Sequence, residues 1–521
     1  MLRAYPSVRP PLMSARPLLL CAMTSLLACG CAMPPHQPPH QASDFEANVA
    51  RIGRNDPGSP AVLSAQLAYA EFLLSETQGP CAQRLERVQE QLGSVDANPK
   101  TRVMFPGGWA RAAELEYRLQ LARAACGSET DRENELRTAV AAARRAVELY
   151  GNAFDYRSMA IMQFDVGRVL HQLGENAAAL AALEKALEMD REYGFQGEAR
   201  EAYKLLLTWR GKPADDAQIT QLMQDFPKRR AVLQFGWRPS DAQITLDSER
   251  ECILDGQILS SRASATLKRH IGVDGDGWSV SHAHNLTRYE PGVWPTVQRP
   301  QPPQVVFPPA LLPAADFKVS ATGEFEGVTN YTNALAARLV DRTEELIRAA
   351  APTGDRASSL TAAALEDAAY TFSPGMLEAA AAENYQLETA MWIGATLEQG
   401  VWYEVSAPLS LPGMPRTVVQ HRVEFAFTRM VPCNAAAAAQ TCVELVIHAA
   451  PDDEALNQVI ADKSLAAYIA STEVRIVTDP ATLLPYAREE RAYWYASLGN
   501  GRRDSVLGLE HVVSTTSYGA D

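Results

Sequence analysis

Cysteine, histidine and paired carboxylates are the residue types here whose spacing permits chemistry. Cys433 and Cys442 flank eight residues, Asn434 to Thr441, between two strand-like runs. That spacing suits a disulfide across the mouth of a hairpin, and closing a loop of about ten residues is worth roughly 2–3 kcal/mol. Cys81 opens one helical stretch and Cys126 closes the next. If those helices are antiparallel neighbours, the two thiols end at one level, and a second disulfide is expected. Cys252 reads as a buried thiol, since nothing nearby would lower its pKa. His282 and His284 alternate on a strand and share a face. Such a pair can grip zinc, but no third ligand is evident, so a polar solvent face is expected. His421 and His448 lie alone in strands and read as packing or surface residues. His36 and His40 sit on a proline-rich tether. Glu489-Glu490-Arg491 reads as a solvated strand edge rather than an acid–base pair. Trp392, Trp402, Tyr403, Trp494 and Tyr495 read as core rather than pocket. No Gly-x-Ser-x-Gly, His-Glu-x-x-His, Cys-x-x-Cys or phosphate-binding glycine loop occurs. No catalytic residue, metal ligand or cofactor is therefore assigned.

The first residues carry a different chemistry. Arg3, Arg9 and Arg16 supply positive charge without acids, and Leu18 to Ala28 form an apolar run of 11 residues. A membrane span needs about 20. Leu26-Leu27-Ala28-Cys29 closes the run and resembles the lipobox of bacterial lipoproteins, with Leu26 at −3 and Ala28 at −1. The resemblance implies a signal peptide over residues 1–28 and an acyl-bearing, palmitate-type anchor on Cys29. Cys31 is the alternative acceptor. Neither Gly30 nor Ala32 is the aspartate that retains such proteins in the inner membrane. The resemblance therefore implies the outer membrane of a Gram-negative envelope, periplasmic face, with the membrane as partner through the anchor. Residues 29–58 read as a tether, semi-rigid at Pro34, Pro35, Pro38 and Pro39.

The chain has 521 residues and a net charge of −14. Losing residues 1–28 removes three arginines and no acid, which leaves about −17. Acidic charge spread along the chain argues against nucleic acid, which needs a basic footprint. The disulfide-ready cysteines fit an oxidising compartment.

Two halves must position whatever site exists. Over residues 59–212 apolar residues recur at helical spacing with turns every 15 to 20 residues. Met159 to Asp190 is the clearest unit, with Gly167 in its first helix, Gly174 at the turn, and Ala179 and Ala186 in its second. It resembles a tetratricopeptide repeat, in which these small residues let helices approach closely. Gly108–Ala125 with Glu129–Tyr150, and Pro60–Leu74 with Cys81–Leu92, form similar pairs. Phe195 to Trp209 reads as a cap. The resemblance implies a small solenoid that binds a protein partner. Residues 213–240 read as a linker.

After residue 240 the period becomes that of strands. Asp274-Gly275-Asp276-Gly277 joins Ser264–Val273 to Trp278–Tyr289 as a hairpin, a turn rather than a calcium loop. Residues 291–313 hold eight prolines and read as a connector. Strands are expected at 316–325, 387–397, 402–407, 417–430, 443–449, 473–477, 483–496 and 504–517. Helices are expected at 331–350, 360–369 and 452–468, and a tight turn at Gly499-Asn500-Gly501. Residues 241–521 thus read as a largely antiparallel α+β domain with a few packed helices. In outline this resembles the half-barrels of periplasmic lipoprotein carriers, which implies a lipid ligand as an alternative function. The whole reads as a multidomain α+β protein, all-α repeats first and antiparallel sheet second. Its expected role is non-enzymatic partner binding; lipid carriage, then an unrecognised hydrolase, are the alternatives.

Overall fold

The computed structural model describes residues 41–518 except 54–59, 77–79, 94–104, 225, 255–256, 291, 294–304, 307–311, 313, 351–364, 367, 435–439, 464 and 499–504. Cys29, Cys31, the signal segment and the turn at Gly499-Asn500-Gly501 lie outside the described residues. So do most of the 360–369 helix and most of the 291–313 connector, apart from the small pair β5 (Gly292–Val293) and β6 (Val305–Val306).

The fold is α+β. Helices α1 (Ala42–Gly53), α2 (Pro60–Ser75), α3 (Cys81–Gly93), α4 (Pro106–Cys126) and α5 (Glu129–Asn152) come first. Then follow α6 (Tyr156–Gln172), α7 (Asn176–Tyr193), α8 (Gln196–Trp209) and α9 (Asp216–Gln224). Each packs against the next in sequence, so their apolar stripes close into shared cores. Leu63, Tyr69, Leu73, Val88 and Leu115 form one. Ala139, Ala143, Met162, Val166 and Ala179 form the next. A polar cap fixes the start of α6: the Asp155 carboxylate accepts the Ser158 amide at 3.0 Å.

Two segments expected to be irregular hold structure. The 29–58 tether contains α1, whose Phe45 stacks on Phe72 with ring centroids 4.9 Å apart. The 213–240 linker contains α9 and β1 (Arg230–Val232), which pairs with β9 (Thr396–Glu398).

The rest is an open 11-stranded antiparallel sheet in the order β10-β11-β12-β13-β14-β15-β2-β3-β4-β7-β8. The chain enters mid-sheet through β2 (Ser240–Leu254), β3 (Gln257–Asp274) and β4 (Gly277–Glu290). The hairpin β7 (Phe317–Val319) and β8 (Phe325–Val328) extends one edge. The backbone then passes through α10 (Asn333–Ala350) and α11 (Pro374–Glu388) to the opposite edge. From there it returns as a meander: β10 (Trp402–Leu411), β11 (Met414–Pro432), β12 (Thr441–Pro451), β13 (Leu465–Thr478), β14 (Pro485–Leu498) and β15 (Ser505–Tyr518). Helix α12 (Asp453–Asp462) interrupts it between β12 and β13. The last strand pairs with β2, Tyr518 opposite Ala242 and Leu509 opposite Glu251.

Two strand expectations and one helix expectation are corrected. Residues 387–397 are not a strand: α11 ends, Ala390–Trp392 form a 3-10 turn, and only Thr396–Glu398 is extended. That apolar run is buried as irregular backbone under the sheet, with Trp392 fully buried and its indole donating to the Leu387 carbonyl at 2.8 Å. The 452–468 helix stops at Asp462, because Tyr468 pairs with Ala496 in β13. The 316–325 strand is a hairpin, its turn held where the Ser320 hydroxyl accepts the Glu324 amide. A short apolar run does not by itself distinguish strand from helix or buried loop. The Asp274–Gly277 hairpin forms as expected, with Gly275 at φ +63°.

Candidate functional site

The side chains with most chemistry lie in two places, on the flank of the helical array and beneath it. On the flank, ion pairs link α2 to α4 and α6 to α8. Glu71 of α2 pairs with Arg111 of α4 and lies 3.6 Å from Arg118. Asp165 of α6 pairs with Arg168 at 3.1 Å, and burial raises its pKa. Arg157 at the start of α6 meets Glu198 at the start of α8, 2.6 Å away. Amid these charges Ile161 is 39% exposed, and Arg168 lies over the ring of half-buried Phe164. The first helices of successive pairs therefore share one surface of partly desolvated, opposite-sign charges around a small apolar patch. Such a surface can recognise a polypeptide, because hydrogen-bond donors and acceptors are already oriented.

The residues expected to shape this array sit as follows. Gly167 is at a close contact: a Cβ there would come within 3.2 Å of the Ala179 carbonyl and 3.3 Å of the Leu183 amide. Gly174 has φ +76°, and Ala179 and Ala186 are fully buried. Cys81 and Cys126 are bonded, with Cα atoms 6.5 Å apart, and so are Cys433 and Cys442, at 4.8 Å. Cys252 is free and buried, and burial pushes its thiol up to about 11.

The array stands on the sheet through its turns. Phe105, ahead of α4, packs on Tyr493 of β14. The α5–α6 turn inserts Phe154 between the guanidiniums of Arg475 and Arg491, which lie 5.7 and 4.7 Å from its ring centre. Arg491 also donates to the Asn152 carbonyl. The α7–α8 turn places Gly194 against Gly400 and Gln399, where a Cβ would sit 2.9 Å from the Gln399 carbonyl oxygen; its φ of +83° also requires glycine.

At the centre of this junction is Glu444 of β12, whose side chain is 1% exposed. It accepts the Thr428 hydroxyl at 2.8 Å, the Arg429 guanidinium at 3.2 Å and Arg475 at 3.4 Å. Arg429 bridges on to Glu192 of α7 and lies over the rings of Tyr193 and Tyr156. Arg475 bridges on to Glu489. The His511 hydrogen bond, with Arg491 and Arg475, holds Glu489 down to about 2. Burial lifts Glu473 to about 8. Sequence reasoning missed this network. Its signal was present: a single charge, Glu444, inside the apolar run Val443 to Ile447.

The expectation of a solvated edge at Glu489-Glu490-Arg491 is therefore corrected. β14 is an interior strand, and alternation sends Glu489 and Arg491 to the helical array and Glu490 to the other face, beside Arg488. His421 is 2% exposed, and His448 stacks on Trp402 at 5.0 Å; burial lowers both pKa values. His282 is buried 3.5 Å from Asp316 and held down to about 4, chiefly by desolvation. That corrects its expected place on a solvent face. Among the described residues no three His, Cys, Asp or Glu are grouped to hold a metal.

The five aromatic residues do not gather at one place. Trp392 meets Phe425 edge-on, and Tyr403 stacks on Phe425. Trp494 covers Gly508 in a cluster under α12, while Tyr495 packs with Leu507 and Leu509 on the opposite face. The face turned from the helices is filled between α11 and the meander by Trp392, Phe427, Val443, Leu445, Ile447 and Ile476, all fully buried.

No family model matches this chain, and no curated protein matches it in sequence.

Proposed function

We propose that this chain is a non-enzymatic periplasmic lipoprotein, tied to the outer membrane through Cys29 or Cys31, whose tetratricopeptide-like helices bind a protein partner. The observation that carries the reading is the flank formed by α2, α4, α6 and α8. It presents Arg157, Ile161, Phe164 and Arg168 to solvent or half-exposed, while the sheet takes up only the helix ends. Two disulfides fit an oxidising compartment. A second reading, carriage of a lipid, draws on the open 11-stranded antiparallel sheet with α11 and α12 on one face. The dense packing around Trp392 weighs against an acyl chain lying there.

A photo-crosslinking residue at position 161, in cells, tests partner binding. One dominant adduct is expected, lost on Arg157→Glu and Arg168→Glu and reproduced with the purified partner. Adducts from position 161 no different from those at position 243 on the sheet would reject it. Metabolic labelling with palmitate tests the anchor separately: label should vanish in the Cys29→Ala, Cys31→Ala double variant.

A further inference from the structure

A groove of about 520 Å3 opens over the ends of β15, β2, β3 and β4, beyond the strands on which the helices stand. Its wall holds Asp241, Gln243, Lys268, His270, Ser281 and Ser517. We propose that it binds a small organic molecule bearing a compact oxyanion, with Lys268 as the counter-charge. This inference is independent of the helical-array reading.

Charge comes first. In a chain of net charge −14, Lys268 and His270 face the groove against one carboxylate, Asp241, while Arg269 between them turns to the other face. Asp241 is engaged, 2.8 Å from His270 Nδ1. Among the described residues no carboxylate lies within ion-pair distance of the Lys268 ammonium.

Register comes second. Lys268 and His270 are two apart on β3 and project to one face. Gln243 lies opposite Lys268, and Ser517 opposite Gln243. Asp241 and Ser281 both lie opposite His270. Cross-strand neighbours on one face are about 5 Å apart, so one ligand spans both rows. Ala283, opposite Lys268, contributes only a methyl and leaves the floor open. The Arg269 guanidinium lies 5.5 Å from the Tyr518 ring centre and donates to its hydroxyl, which anchors the strand beneath.

Size comes third. A lone ion fills the space of one or two waters, about 30 Å3 each. The groove is shallow and open to solvent, its side chains exposed, so an organic ligand would lie along the sheet surface across both rows. The amide of Gln243 and the hydroxyls of Ser281 and Ser517 would then read its hydroxyl or carbonyl groups. The oxyanion could come from a soluble phosphorylated solute or from a phospholipid headgroup.

Calorimetric titration of the full mature chain tests this with two probes, glycerol 3-phosphate and monomeric dihexanoyl phosphatidylglycerol. Saturable binding is expected, weakened about tenfold or more in Lys268→Glu and Lys268→Gln, because a charge-assisted contact is lost. Equal affinity for the two probes assigns a solute, and tighter binding of the lipid assigns a headgroup. Lys268 is exposed, so both variants should melt as the parent does. Absence of saturable binding for both probes up to about 10 mM, or affinity unchanged in the Lys268 variants, overturns the proposal.

Discussion

Replacing Glu444 by alanine tests whether the helical array is held on the sheet by its buried ionic centre. The side chain is 1% exposed and takes hydrogen bonds from Thr428, Arg429 and Arg475. Removing it strands two half-buried guanidiniums in a medium that solvates them poorly. Breaking a buried pair in this way costs about 3–5 kcal/mol. Arg429 keeps Glu192 and Arg475 keeps Glu489, so the lower end applies, about 3 kcal/mol, or roughly a hundredfold in the unfolding equilibrium. Glu192→Ala is the control. Its side chain is 43% exposed and it contacts the same arginine. An ion pair at that exposure is worth about 1 kcal/mol or less. Urea unfolding followed by tryptophan fluorescence reads both, and a double-mutant cycle with Arg429→Ala isolates the pair. A loss below about 1 kcal/mol in Glu444→Ala, or an equal loss in Glu192→Ala, would refute the assignment of the junction to its buried centre.

Three further outcomes are expected. Gly167→Ala should cost about 1–3 kcal/mol by overpacking, because its Cβ would press to 3.2 Å on the Ala179 carbonyl; thermal melts followed by circular dichroism read this. Glu489 is held at about 2 against an ordinary 4.5, so it contributes stability above pH 4.5 that is lost as pH falls toward 2, about 3 kcal/mol in all; Glu489→Gln should flatten that acid limb in denaturation curves. Glu473, raised to about 8, holds its proton in the fold while the unfolded chain releases it, so stability drains as pH rises from about 4.5 to 8. Glu473→Gln should raise the melting temperature at pH 8 and not at pH 4, and a reversed order would contradict the burial argument.

Much of the local structure was legible from residues alone. The 3.6-residue period around Phe164, Val166 and Leu170, the small residues Gly167 and Ala179, and the Asp274–Gly277 turn are set by contacts a few positions apart. The two disulfides were legible because each joins the ends of one hairpin, helical or extended.

Only the tertiary structure decided three things. β15 lies beside β2, although Leu509 and Glu251 are far apart in sequence. That pairing makes one sheet of two strand groups. Glu489 and Arg491 looked like a solvated edge because charge normally marks solvent; here the α5–α6 turn covers them, and each charge finds an opposite or an aromatic partner. Trp392 sits in a 3-10 turn because filling space beneath the sheet outweighs the strand preference of its apolar neighbours. Periodicity records which face of an element is buried. What buries it is decided by partners distant in the chain, whose pairing depends on shape and charge that no local window contains.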